Sequence, residues 1–226
     1  GCNDTILVHT PTGYSGESTP ALFLLHGWSG SWRNWNDKAD LQIMSDKYGF
    51  IIITPDGFYN SWYVNSTVSG GMQWRTFFHE ELYPLIMKDY SLDPEKTFIS
   101  GLSMGGHGAV NVFLDDISKF RAAGSMSGVL NLEDTRLKTS DIPKVLGPYS
   151  VENDNYSKQS ALNRLNGFKA QTEENNLLKE RLILISCGKS DVLAKSSRDF
   201  TDKCDSLGIK NILLLSPGNH TPSEGA

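Results

Sequence analysis

Short runs of β-branched and aliphatic residues recur along the chain at positions 5–9, 21–25, 50–54, 97–100, 122–126, 181–186 and 211–215. Several are apolar throughout rather than alternating, the pattern of strands covered on both faces. Between them, 37–47 and 196–206 carry the spacing of amphipathic helices. Residues 73–90 read as a longer helix with Pro84 inside it, which should bend or interrupt it, because proline has no N–H to donate and its ring crowds the preceding turn. Strand and helix alternate. That order predicts an α/β fold with a mostly parallel central sheet, helices on both faces, and ligands gathered beyond the carboxyl ends of the strands.

Residues 129–180 break the alternation. They are polar and rich in Asn, Lys, Ser and Glu, with weak helical runs at 160–165 and 172–178. About fifty polar residues cannot build a core of their own. The segment is therefore expected to be a lid-like insertion over one end of the sheet, within a single domain spanning 1–226. No internal repeat is visible.

Composition narrows the functional classes. The 226 residues carry 26 acidic against 21 basic side chains, and 38% are apolar, which suits one sizeable folded domain. No uninterrupted apolar stretch approaches the roughly 18 to 20 residues needed to span a bilayer, and no Lys/Arg block offers a phosphate footprint. Neither a membrane span nor a nucleic-acid partner is expected. Cys2, Cys187 and Cys204 are too few and too scattered for a disulfide scaffold or a zinc site, so two core thiols and a terminal one are the plain expectation. Gly1-Cys2 is compatible with a lipoprotein cleavage scar or with a processed or cloned end, and localisation stays open, with a slight lean to a secreted or periplasmic over a cytoplasmic one. Asn-x-Ser/Thr triplets begin at Asn3, Asn65, Asn155 and Asn219, but such triplets are common by chance.

The chemistry concentrates in Gly101-Leu-Ser103-Met104-Gly105-Gly106-His107-Gly108-Ala109. Gly-x-Ser-x-Gly alone is a weak signal; following an apolar strand and opening a helix, it describes a sharp turn that lifts a serine hydroxyl above the sheet. Three glycines in that first helical stretch would each cost about 1 kcal/mol relative to alanine, so a merely structural helix would be poorly written here. A serine hydroxyl needs a base to take its proton and an acid to orient that base. In this architecture the order is Ser, then Asp or Glu, then His, each just past a strand. Asp191 follows the strand at 181–186, and His220 follows the strand ending at Leu215. Taken alone, Asp191 also reads as a helix cap or turn former, and His220 as a surface residue near a terminus. His26 and His107 are read as structural; His9 and His79 show no partner.

A tetrahedral intermediate needs backbone donors aimed at its oxyanion. The amide of Met104, directly after the serine, is one candidate. The amide of Trp28, after the strand and glycine of Ala21-Leu-Phe-Leu-Leu-His26-Gly27, is the other. All five tryptophans fall within one quarter of the chain, with Tyr59 and Tyr63 among them. Trp32, Tyr59, Trp62 and Tyr63 are candidate substrate contacts, since flat amphipathic rings suit a sugar face or an aromatic acyl group; packing beneath the lid is the competing reading, and Trp74 reads as core.

Leu24-Leu25-His26-Gly27, Thr54-Pro55-Asp56-Gly57, Ser61-Trp62-Tyr63, Glu80-Glu81-Leu82, the serine motif, Ser127-Gly128 and Gly188-Lys-Ser-Asp191, taken in order, resemble the Putative esterase family of α/β-hydrolases. Feruloyl and acetylxylan esterases, tributyrin esterases, S-formylglutathione hydrolases and mycolyltransferases belong to it. The resemblance covers about residues 5 to 220. It implies Ser103, Asp191 and His220 as the triad and Trp28 and Met104 as oxyanion donors, and makes 129–180 the region where members vary in substrate. Leu102 stands where formylglutathione hydrolases carry a histidine, and their cysteine after the oxyanion loop is absent, which sets that subfamily aside. Members also continue past the histidine into a terminal helix, whereas six residues follow His220 here. The resulting expectation is a serine carboxylesterase that needs no metal or organic cofactor and acts on an acylated carbohydrate or a phenolic ester. The alternatives are acyl transfer to a sugar and an inactive carbohydrate-binding relative.

Overall fold

The structure, a computed structural model, describes residues 5–16, 19–133, 141–152 and 154–220. Cys2 and Asn3 lie outside the described residues. Seven strands, β1 (Ile6–His9), β2 (Ala21–Leu25), β3 (Ile51–Pro55), β4 (Thr97–Gly101), β5 (Ala122–Met126), β6 (Leu182–Gly188) and β7 (Asn211–Ser216), form one sheet in the order β1-β3-β2-β4-β5-β6-β7. Only β1 is antiparallel, pairing Val8 with Ile53 of β3; the remaining pairs are parallel. The strand order reverses at β2 and β4, and the loops leaving those strands converge where ligands bind in open parallel sheets.

The helices are α1 (Asn34–Lys38), α2 (Leu41–Tyr48), α3 (Trp74–Phe77), α4 (Tyr83–Asp89), α5 (Met104–Asp115), α6 (Pro143–Leu146), α7 (Asn155–Gln159), α8 (Ala161–Glu174) and α9 (Ala194–Leu207). Alternate strand side chains divide between the two faces of the sheet. Phe23, Ile53, Ile99, Ile183 and Ile185 face the main core, where residues of α4, α5, α8 and α9 bury their apolar stripes. Phe23 meets the rings of Phe78, Tyr83 and Phe120 there. Leu24 and Ile52 face the other way, against Leu41 and Trp35 of α2 and α1. Edge strand β7 sends Leu213 and Leu215 toward the main core and leaves Ile212 and Leu214 exposed.

The predicted strands are present with ends displaced by one or two residues, and two helices differ from expectation. The segment 37–47 is broken into α1 and α2, because Asp40 leaves helical geometry and caps the second helix by accepting the Ile43 N–H at 3.0 Å. The segment 73–90 is interrupted as expected around Pro84. It widens into a π-helical turn over Phe78–Leu82 before α4 resumes with the proline in its first turn, where a missing N–H costs least.

Much of the segment 129–180 is bound into the main core. Helix α8 packs against α5 and α9. Leu165 and Phe168 lie in the main core, with Phe168 and Phe113 rings 5.9 Å apart. Val129, Leu130, Leu132, Ile142, Leu146 and Tyr156 join that core. Its buried stripe is narrow, which is why the segment reads as polar. Residues 134–140 lie outside the described residues.

Candidate active site

Strand β4 ends at Gly101, and the chain turns through Leu102 and Ser103 into α5. Ser103 sits at φ 54, ψ −112, outside the ordinary regions for a residue with a side chain. Its N–H is tied to the Met126 carbonyl at 2.8 Å. The glycines make the turn possible: a β-carbon on Gly105 would collide with the Leu25 carbonyl, and one on Gly108 would stand 2.5 Å from the Tyr63 ring.

Strand β6 ends at Gly188 and delivers Asp191; β7 ends at Ser216 and delivers His220. Backbone bonds zip the two loops together, Lys189 N–H to Ser216 O at 2.8 Å and Ser190 N–H to Gly218 O at 2.9 Å. Gly188 is required for this approach, since a β-carbon there would be 2.7 Å from the Asn219 carbonyl oxygen.

The three side chains form one continuous hydrogen-bonded line. Ser103 Oγ lies 3.0 Å from His220 Nε2, and His220 Nδ1 lies 3.1 Å from Asp191 Oδ2. Asp191 Oδ1 accepts the Leu193 N–H at 2.8 Å. Burial alone would raise the Asp191 carboxyl, but the Leu193 amide, the Ser127 hydroxyl and His220 together hold it below its usual range. An ionised carboxylate accepts only, so His220 Nδ1 carries the proton and Nε2 presents a lone pair to the serine.

The loop after β2 passes directly beside Ser103, where a β-carbon on Gly27 would be 3.8 Å from Ser103 Cβ. His26 shapes that loop. Its Nδ1 lies 2.8 Å from the Gly27 carbonyl, and its Nε2 lies 2.8 Å from the Gly57 amide nitrogen and 3.3 Å from Asp56 Oδ1. Tyr63 O–H donates to the His26 carbonyl at 2.8 Å. The Trp28 amide follows in this loop. The Met104 amide opens α5, among the first N–H groups, which have no acceptor within the helix.

A match over residues 1–199 to the family model described as "Putative esterase" decides the affiliation of this arrangement. The chain belongs to the Putative esterase family. It is accordingly a serine hydrolase of carboxylic esters. An S-formylglutathione hydrolase of Arabidopsis thaliana is 24% identical, over 96% of this chain and 81% of its own. An acetyl esterase of Caldicellulosiruptor saccharolyticus is 26% identical, over 90% and 78%. A solved ferulic acid esterase superposes with a TM-score of 0.78 at 22% identity, covering 96% of this chain and 85% of its own, a likeness of fold.

The aromatic residues divide. Trp28 and Tyr59 are 47% and 55% exposed, and their rings meet edge to face at 5.1 Å. Trp28 Nε1 donates to Asp141 Oδ2 at 3.1 Å, and Asp141 also pairs with Lys144 at 2.6 Å. Trp32 is half-buried, with the Arg33 guanidinium 5.5 Å from its ring. The expectation that Tyr63 touches substrate is corrected: it is fully buried, wedged against Gly57 and Gly108. Trp62 is also buried, edge-on to His107, so it too supports the site from beneath. Trp62 and Tyr63 both adopt positive φ, and so fold the chain back under the serine turn. Trp74 is core, as read, donating from its indole to Asp56 O at 2.9 Å.

The other histidines have structural partners. His107 Nδ1 lies 3.0 Å from the Val129 carbonyl, and burial, reinforced by the Arg75 charge, pushes its pKa down to about 3. His79 does have partners, sitting between Asp115 at 2.9 Å and Lys119 at 3.0 Å. His9 lies 3.3 Å from Gln42 Oε1. Cys187 and Cys204 are free and buried. Among the described residues, no three His, Cys, Asp or Glu side chains group to hold a metal ion, and no helix is long and apolar enough to cross a membrane.

Proposed function

We propose that the protein hydrolyses an acyl ester through an acyl-enzyme on Ser103, with an acylated carbohydrate or phenolic ester, feruloyl or acetyl, as substrate. One observation carries this reading: the unbroken line from the Ser103 hydroxyl through His220 to the Asp191 carboxylate, at 3.0 and 3.1 Å. Ser103 Oγ bonds to the ester carbonyl carbon as His220 Nε2 takes its proton. The carbonyl oxygen becomes the oxyanion, met by the Met104 and Trp28 amides, and Asp191 stabilises the imidazolium. The carbon–oxygen bond to the alcohol then breaks, and His220 returns the proton to the leaving oxygen. Water, deprotonated by the same imidazole, releases the acid and restores Ser103.

The substrate class is supported by Trp28 and Tyr59, two large rings left exposed beside the oxyanion loop, with the Asp141 carboxylate at their edge. Rings of this kind stack on sugar faces and on phenolic acyl groups. The test is a panel of feruloyl, acetyl and butyryl esters assayed with the wild type and Ser103→Ala. Turnover of feruloyl or acetyl esters that disappears in the variant supports the proposal. Turnover that survives in Ser103→Ala rejects the nucleophile, and a preference for butyryl esters rejects the substrate class.

A further inference from the structure

We propose that Asp141 is a positioning residue of the site: its carboxylate grips the Trp28 indole and so braces the turn whose Trp28 amide meets the oxyanion. The inference rests on the reading of Ser103 and of the Trp28 amide given above.

The turn of residues 27–30 leads away from β2 beside Ser103. The Gly30 N–H closes onto the Gly27 carbonyl at 3.1 Å, and Ser29 takes φ 62. That is the left-handed region, which glycine enters without strain and serine does not. Such a conformation persists only where its surroundings hold it. At its base the turn is pressed onto His26, since a β-carbon on Gly30 would stand 2.8 Å from His26 Nδ1. The tip, Trp28 and Ser29, needs holds of its own.

Tyr59 supplies part of that hold. Its carbonyl accepts the Ser29 N–H at 2.9 Å, and its ring meets the Trp28 ring edge to face at 5.1 Å. Asp141, 113 residues away in sequence, supplies the rest: Trp28 Nε1 donates to Asp141 Oδ2 at 3.1 Å. Trp28 is half open to solvent, so packing alone does not set its rotamer. An indole tied at its nitrogen has both side-chain torsions set, and those torsions hang on the Trp28 Cα.

Asp141 is itself well anchored. Lys144 Nζ lies 2.6 Å from Asp141 Oδ1, which leaves Oδ2 for the indole. The Lys144 ammonium helps hold the carboxyl below its usual range, and an ionised carboxylate only accepts. The Lys144 N–H donates to the Asp141 carbonyl at 2.9 Å, and α6 follows at once. Ile142 and Leu146 are fully buried in the main core, and the Val145 carbonyl accepts the Ser66 hydroxyl at 2.8 Å and the Thr67 N–H at 3.0 Å. The carboxylate therefore stands on a fixed base and reaches across to a strained tip.

The test is a double-mutant cycle on the full-length protein. Wild type, Asp141→Ala, Trp28→Phe and the double variant are compared by melting temperature and by steady-state turnover of p-nitrophenyl acetate, with Ser103→Ala as control. Trp28→Phe keeps an aromatic ring and removes the indole N–H. Every variant should melt within a few degrees of the wild type, because both side chains lie at the surface end of the turn. In each single variant kcat should fall about tenfold while KM stays within about twofold, since a displaced oxyanion donor weakens the transition state and not substrate binding. The double variant should turn over within about twofold of the single ones, because both changes break one contact. Unchanged kcat, a change confined to KM, or losses that multiply in the double variant overturn the inference. So does failure of Asp141→Ala to fold, which would make the carboxylate a structural element. If Ser103→Ala is inactive and Asp141→Ala turns over like the wild type, only this inference fails; if Ser103→Ala retains full turnover, the reading of the site falls and takes this with it.

Discussion

A β-carbon placed on Gly105 would stand 2.6 Å from the carbonyl oxygen of His26 and would collide with the carbonyl of Leu25 as well. The helix that follows Ser103 thus lies against the strand end that leads into the loop of Gly27 and Trp28, with no room for a methyl group. Gly105→Ala should push the two apart, lowering stability by roughly 1 to 3 kcal/mol, as overpacking does, and lowering turnover further than that loss accounts for. Gly167 is the internal comparison: it lies in α8, exposed, with nothing within 4 Å of its would-be β-carbon. Gly167→Ala should stabilise by about 0.5 to 1 kcal/mol. Urea unfolding of both variants checks the contrast, and equal effects would contradict it.

His220 is 41% exposed at its side chain, so its removal leaves no buried hole. His220→Ala should melt within a few degrees of the wild type and lose several orders of magnitude in kcat, because members of a triad act as a unit. A loss below about tenfold would reject His220 as the base.

The rate should depend on pH in one direction at the acid side. A general base acts only when unprotonated, so kcat/KM should fall as the solution is made acidic. Asp191 is held below its usual range and stays ionised throughout, and His107, pushed down to about 3, stays neutral throughout, so neither produces this limb. A flat profile from about pH 5 to 8 would count against the mechanism.

His107 instead governs stability. Its folded pKa lies well below its ordinary 6.5, because burial in the core disfavours the charged ring. Below pH 6.5 the unfolded chain binds a proton that the folded protein refuses. The contribution is therefore whole above pH 6.5 and is lost as pH falls toward 3, at about 1.4 kcal/mol per pH unit. His107→Gln should remove this component. Unfolding free energies at pH 7 and pH 5 should differ by about 2 kcal/mol less in the variant than in the wild type; an equal difference would show that His107 is not the group responsible.

The sheet and the three distant side chains were legible in the sequence for a shared reason. Apolar strands buried on both faces stand out, and Ser103, Asp191 and His220 each follow the end of one, so chain order implies convergence. The aromatic residues were less legible. Clustering of Trp28, Tyr59, Trp62 and Tyr63 does not reveal which rings face outward, since that depends on positive φ at Trp62 and Tyr63, a conformation that no glycine advertises. Helix α8 escaped because only Ala161, Leu165, Phe168 and Thr172 of its residues are buried.

The central claim is that Ser103 is an alcohol activated by an imidazole and so reacts where other serines do not. Treatment of the folded protein with a fluorophosphonate, followed by mass mapping of the adduct, tests it most directly. The account predicts one stoichiometric adduct, located on Ser103, absent from Ser103→Ala and formed far more slowly in His220→Ala. An adduct on another residue, or a folded wild type that does not react, would contradict it.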